Sequence, residues 1–215
     1  MMSRSFSPLR AVALAATLAG ALTACVPLVV GGAAVSAMVA VDRRTSGAQL
    51  EDEGIELRGA SRLRDAFGAG AHVNITSYNR QVLLSGEVPT DAAKQQAEQV
   101  VSRVENVRTI VNELAVLGTS TLVQRSSDAL ITGKVKASLV DANDLYAGAF
   151  KVVTENNVVY LMGRVTQREA DRATAIARQI GGVQRVVRIF EVIGDDELRR
   201  IQTQAAPTAP ASPRP

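Results

Sequence analysis

Residues 150–165 read FKVVTENNVVYLMGRV, and the rest of the chain can be organised around them. Phe150, Val152 and Thr154 alternate with Lys151, Val153 and Glu155, the period of two that marks a strand with one buried side. Asn156-Asn157 supplies a two-residue hairpin turn, because asparagine tolerates the positive φ that such turns require. Pairing across it sets Thr154 opposite Val159, Val152 opposite Leu161 and Phe150 opposite Gly163. Phe150, Val152, Val159, Leu161 and Val165 then share the core side. Lys151, Glu155, Tyr160, Met162 and Arg164 share a mixed side, read as open. Gly163 inside a strand implies that a backbone or a large side chain comes close, and the spacing puts it beneath Phe150 and a covering helix. A shift of 77 residues carries Val73, Ile75, Val82, Leu84, Gly86 and Val88 onto Phe150, Val152, Val159, Leu161, Gly163 and Val165. The chain is a tandem repeat.

Working outward, each repeat reads as helix, strand, strand, helix, strand. The first spans residues 48–117, with Ile55, Leu63, Ala66 and Phe67 on the inner side of its opening helix. Its second helix carries Ala93, Ala97, Val100, Val101 and Val104 at helical spacing, and Val107 to Val116 closes it as one strand. Residues 118–125 are a linker. The second repeat spans 126–194; its second helix opens on Thr166 with Glu169 three residues on, a capping box, and stops at Gly181-Gly182. Each unit is near the size at which a single core is marginal, so the two are expected to lean on one another. Residues 195–215 hold a short charged helix and a tail of Ala and Pro expected to be disordered. The acidic run Glu51-Asp52-Glu53 reads as the carboxylates of a helix N-terminus.

Residues 1–24 have Arg4 and Arg10 ahead of a short apolar run, too short to span a bilayer and typical of an export signal. Leu22-Thr23-Ala24-Cys25 resembles the lipobox of bacterial lipoproteins, and Cys25 is the sole cysteine. The resemblance implies cleavage before Cys25, which would carry a thioether-linked diacylglycerol and an N-acyl chain. Several acyl chains at about 0.8 kcal/mol per buried CH₂ hold a protein on a membrane. Val26 stands where an Asp would signal inner-membrane retention, which favours the periplasmic face of the outer membrane. Residues 25–47 follow as the lipidated cysteine and an apolar spacer, whose apolar run from Val26 to Val41 is too short for about 30 Å of hydrocarbon at about 1.5 Å per residue.

Leu161 to Val165, Leu-Met-Gly-Arg-Val, and Leu84 to Val88, Leu-Ser-Gly-Glu-Val, resemble the BON domain family. Asp42 to Gly47, Asn74 to Tyr78 and Val153 to Asn156 add to the likeness. With the lipobox, the arrangement is similar to the dual-BON-domain outer-membrane lipoproteins of Gram-negative bacteria. The resemblance implies an α+β fold of two tandem αββαβ domains, each a three-stranded mixed sheet backed by two helices. It also implies phospholipid binding and support of cell-envelope integrity. Family members often have a bulky aromatic residue near the start of the second domain's first helix, where this chain has Leu130.

The catalytic inventory is thin. His72 is the sole histidine, expected as a solvated loop residue. With one histidine and one lipidated cysteine, neither a Cys/His zinc cluster nor a Ser-His-Asp triad can be assembled. No carboxylate pair stands in an apolar setting suited to acid–base work. The glycine pairs lack the lysine and hydroxyl residue of a phosphate loop. The chain therefore reads as a non-enzyme with no metal and no cofactor beyond the lipid on Cys25.

Loss of Arg4 and Arg10 with the leader takes 24 basic and 21 acidic residues, net +3, to net +1. The first repeat holds seven basic and ten acidic residues, the second nine and seven. The second is the better match for an anionic surface, and no basic stripe with stacking aromatics speaks for nucleic acid. Its opening helix, expected over 128–143, packs Ile131, Val135, Leu139 and Ala142 on the sheet. Its other side carries a second apolar strip of Leu130, Gly133, Ala137 and Val140, flanked by Lys134 and Lys136. That strip suits an anionic phospholipid surface, with apolar side chains inserted and ammonium groups reaching phosphates. Alternatively it packs on the first repeat or on Leu122-Val123. Two functions follow: a phospholipid-binding envelope lipoprotein, or a periplasmic scaffold that uses the open sheet faces to bind another envelope protein or peptidoglycan.

Overall fold

A computed structural model describes residues 42–205. The leader, Cys25, the spacer at 26–41 and the tail from 206 lie outside the described residues. In chain order the elements are α1 (Ser46–Phe67), β1 (His72–Tyr78), β2 (Gln81–Val88), α2 (Asp91–Ser102), β3 (Thr109–Asn112), β4 (Ala115–Val116), α3 (Leu122–Asp141), a 3₁₀ turn (Ala147–Ala149), β5 (Phe150–Glu155), β6 (Val158–Val165), α4 (Gln167–Arg178), β7 (Arg185–Val192) and α5 (Asp195–Ala205). This is an α+β chain of two αββαβ repeats followed by one more helix.

The hairpin register is the one the alternation implies, with Phe150 on Gly163, Val152 on Leu161 and Thr154 on Val159. Asn156 and Asn157 both take positive φ, 49° and 63°, and in the first repeat Asn79 and Arg80 do the same. β7 joins β6 in parallel, giving the order β5-β6-β7. The first repeat differs from expectation, because its closing strand is split into β3 and β4, both parallel to β2. Between them Leu114 turns inward to 2% exposure. The Asn112 side chain accepts from Leu114 N–H (3.3 Å) and donates to the Lys94 carbonyl (2.9 Å), local bonds that compete with the strand ladder.

Two glycines sit at matching places, each against a close backbone, as a glycine inside a strand implies, though not beneath the residues expected for Gly163. A Cβ on Gly163 would lie 2.3 Å from the carbonyl oxygen of Ala149, and one on Gly86 would lie 2.1 Å from that of His72. The neighbour is the opposing backbone, one residue before the cross-strand partner, and not Phe150 or a covering helix. Gly86 also has φ +105°, a conformation that side chains rarely adopt.

Each repeat has its own apolar core. Ile55, Leu63, Val82, Leu84, Val88, Ala97 and Val101 fill the first. Ile131, Val135, Leu139, Val152, Val159, Leu161 and Ala173 are among those filling the second. A third cluster joins Tyr78 and Leu83 of the first repeat to Tyr160, Met162 and Ile189 of the second. The mixed sheet face read as open is therefore buried: Tyr160 is 3% and Met162 0% exposed. Alternate positions of β6 are apolar on both sides because one side meets its own helices and the other meets the partner repeat. Where the sequence suggested that the repeats lean on one another, the structure spends the second face of each sheet on that contact.

Candidate functional site

α3 is longer than the sequence suggested. It starts at Leu122, inside the expected linker, because Thr121 and Gln124 form a full capping box. It ends at Asp141, so the helix expected over 128–143 begins earlier and stops sooner. Its inner side buries Asp128, Ile131, Val135 and Leu139, while Ala142, at the C-cap, is half-buried against the same core.

The residues of the second strip all lie on the outside. Leu130 is 60% and Val140 67% exposed, and Gly133, Lys134, Lys136 and Ala137 are exposed with them. Nothing lies within 4 Å of a Cβ built on Gly133. Neither lysine is ion-paired among the described residues. The alternative that the strip packs on the first repeat is thus not the arrangement adopted. The extra turn and a half of helix adds Leu122 and Val123, 80% and 79% exposed. At 100° per residue Val123, Leu130 and Ala137 fall in one line, spaced by seven. The signal that could have found them is Thr121-x-x-Gln124, a readable start. On α1 the matching side exposes two large apolar residues, Leu50 at 71% and Leu57 at 73%, spaced by seven, with Arg58 paired to Glu51 at 2.9 Å beside Leu57. No described helix is long and apolar enough to cross a membrane.

Two buried carboxylates position the hairpins against these helices. Asp52 is 1% exposed and sits well inside α1, not at its start. It accepts from Asn79 N–H (2.7 Å), Arg80 N–H (2.7 Å), Ser77 Oγ (2.6 Å) and Arg44 Nη1 (2.6 Å). Burial pushes its carboxyl up, and these four bonds outweigh that and hold it below the usual carboxylate range. Asp128 of α3 clasps the second turn, accepting from Asn156 and Asn157 N–H at 2.9 Å each. The acidic run read as dipole complements therefore contains a buried turn clasp.

The seam between the repeats is bordered by polar groups at both ends. At one end Arg43, just ahead of α1, places Nη2 2.7 Å and Nη1 2.8 Å from the two oxygens of Glu169, with Nη1 also 3.0 Å from the Arg164 carbonyl. Arg44 lies over the Tyr78 ring at 4.3 Å. At the other end His72 is not a solvated loop residue: it opens β1, and its Nδ1 is 3.0 Å from Glu87 Oε2. Asn156 of the second turn donates to Glu87 (2.5 Å), and Asn74 donates to Glu155 (2.5 Å). No periodicity marked these residues, since each partner belongs to the other repeat or to the facing strand.

The described residues thus form two αββαβ units joined through their second sheet faces, with a solvent-facing apolar strip on α3. The BON domain family matches residues 52–118 and 127–194, and the chain belongs to that family. It is 38% identical over 191 residues to the outer membrane lipoprotein DolP of Haemophilus influenzae, covering 88% of this chain and 99% of that one. It is also 35% identical over 155 residues to the 21 kDa hemolysin of Actinobacillus pleuropneumoniae, covering 71% and 80%. Similarity extends to the osmotically inducible protein Y of Escherichia coli, at 30% identity, covering 53% and 58%.

Proposed function

We propose that this protein is a lipoprotein of the outer membrane, facing the periplasm and held through Cys25, that binds anionic phospholipid with α3 and supports envelope integrity. It performs no catalysis. The observation that carries this reading is the exposed strip Leu122, Val123, Leu130, Gly133, Ala137 and Val140, edged by Lys134 and Lys136, with four large apolar side chains where α1 exposes two, Leu50 and Leu57. Partial burial of the four large side chains contributes about 1–2 kcal/mol each, and each lysine near an anionic surface about 1 kcal/mol. The anchor converts such weak binding into an intramolecular event. The similarity to DolP supports the placement, and the chain enters the fold at Arg43, 5.9 Å from the ring of Tyr146 just beyond α3. The burial of the mixed sheet faces at the seam supports the lipid reading over a scaffold that would use those faces.

The test is co-sedimentation of protein lacking residues 1–40, which keeps Arg43 and Arg44, with vesicles of phosphatidylcholine alone or with phosphatidylglycerol or cardiolipin. Wild type should bind only the anionic vesicles, and less as salt rises. Leu130→Glu should lose most of that binding while its circular dichroism is unchanged. Full binding by a folded Leu130→Glu would dismiss the strip. Indifference of wild type to anionic vesicles would dismiss lipid binding altogether.

A further inference from the structure

The two ends of the seam are charged differently. At the Arg43 end, buried and half-buried carboxylates meet cations from the chain: Glu169 takes Arg43, Asp42 and Asp52 take Arg44, and Glu191 takes Arg164 at 3.0 Å. At the His72 end, Glu87 is 0% and Glu155 9% exposed, with Asp128 at 4% beside them. Facing these three carboxylates are His72, the amides of Asn74 and Asn156, and Arg125 on the groove wall. Arg125 is exposed and its Nε is turned to Ser120 Oγ at 3.1 Å. Hydrogen bonds from neutral amides orient buried carboxylates without cancelling their charge.

The electrostatics of Glu155 record that shortfall. Burial raises the Glu155 carboxyl above its ordinary range; Asn74 and His72 lower it, while Glu87 and Asp128 raise it further. Glu87, also penalised by burial, is held below its range by Ser120, Asn156 and His72. One ring nitrogen of His72 and one oxygen from each glutamate lie within 4.8 Å of one another. A separate observation points to the same place. Ser85 is fully buried and its Oγ has no hydrogen-bond partner. It stands two residues from Glu87 on the same face of β2, directly opposite Asn74. The cluster also opens to solvent, since His72, Asn74, Asp128 and Glu155 line a groove between α3 and β5.

We propose that His72, Glu87 and Glu155 form a divalent-cation site that ties the two repeats together, taking zinc or a similar borderline metal. A neutral imidazole with two carboxylates is a donor set that suits zinc, while magnesium and calcium favour oxygen donors alone. Closing on a zinc ion at about 2.0–2.2 Å from each donor requires the three atoms to draw in from their present spread. Asn74 and Asn156 already orient the carboxylates, as outer hydrogen bonds do around metal ligands. His72 and Glu87 come from the first repeat and Glu155 from the second, so binding would couple their stabilities. The sequence hides the site because its ligands stand 15 and 83 positions apart from His72, in no recognisable spacing.

The experiment uses full-length protein in detergent, stripped with a chelator and titrated with zinc chloride by calorimetry and by thermal melting. The expected result is one zinc per chain and a melting temperature raised by about 5 °C or more at saturation, with magnesium ineffective. His72→Ala and Glu155→Gln should each weaken zinc binding at least about tenfold and abolish the thermal shift. Glu155→Gln leaves Asn74 an oxygen to donate to, so its metal-free melting temperature reports folding independently. Three results would overturn the site: no thermal shift with zinc, an undiminished affinity in both folded variants, or an equal response to magnesium.

Discussion

Replacing Arg43 with alanine tests how the segment ahead of the first domain is tied to the second. Both side chains of the Arg43–Glu169 pair are 5% exposed, so solvent screens the pair little. Removing the guanidinium strands a buried carboxylate, a loss of about 3–5 kcal/mol when one partner of a buried pair is deleted. Thr166 N–H (2.9 Å) and Oγ1 (3.1 Å) still serve Glu169, which places the expected value near the lower end. At about 2–4 °C per kcal/mol for a chain of this size, the melting temperature should fall by about 6–12 °C. Urea titration of protein lacking residues 1–40, followed by circular dichroism, gives the free energy directly. The pH dependence adds a sign. Burial pushes the Glu169 carboxyl up, but the bonds from Arg43 and Thr166 outweigh it and hold it below the ordinary range. Its contribution is therefore present above the unfolded carboxylate's pKa and lost as pH falls through the depressed folded one. The gap between wild type and Arg43→Ala should narrow in acid. Arg43→Met with Glu169→Gln, which preserves the capping box, should recover most of the loss. A single Arg43→Ala variant within about 0.5 kcal/mol of wild type, the range of a surface change, would refute the clamp.

Gly163→Ala should destabilise by about 1–3 kcal/mol, because even one carbon would lie 2.3 Å from the Ala149 carbonyl oxygen; an unchanged urea midpoint would contradict that contact. Glu155→Gln should act with the opposite sign to Arg43→Ala. The folded Glu155 carboxyl is raised, so its ionisation costs stability as pH rises through the folded value. In chelator the glutamine variant should melt higher than wild type at neutral pH and equally at pH about 4, near the ordinary carboxylate value; a lower neutral melting temperature would show that the carboxylate is fully compensated.

The hairpins were legible because period-two alternation and an Asn-Asn turn are local, and the α4 start because Thr166 and Glu169 stand three apart. The exposed strip on α3 was legible for the same reason: Ile131, Val135 and Leu139 account for the core side and leave Leu130 and Val140 over. The α3 start was equally local, in Thr121 and Gln124, but lay in a stretch read as linker. What could not be read was whatever depends on a distant stretch of chain, in the other repeat or across the same one. Tyr160 and Met162 look like one side of a mixed sheet until Tyr78 and Leu83 are brought against them. Asp52 looks like a dipole complement until the Asn79 turn folds back onto it, and His72 looks solvated until Glu87 stands opposite it in the ladder.

The bonds of the seam also imply an order of assembly. Asp52 clasps its turn at separations of 25 to 28 residues, and Asp128 at 28 and 29. Contacts between the repeats close longer loops, 69 residues for Asn156 to Glu87 and 71 for Tyr78 to Ala149. Arg43 to Glu169 closes 126. Since loop closure costs more entropy as the loop grows, and non-local pairings slow folding, each hairpin should settle on its own helix before the sheets meet. Arg43, among the first residues of the fold to be synthesised, would then be among the last to find its place, a latch that closes once both domains are complete.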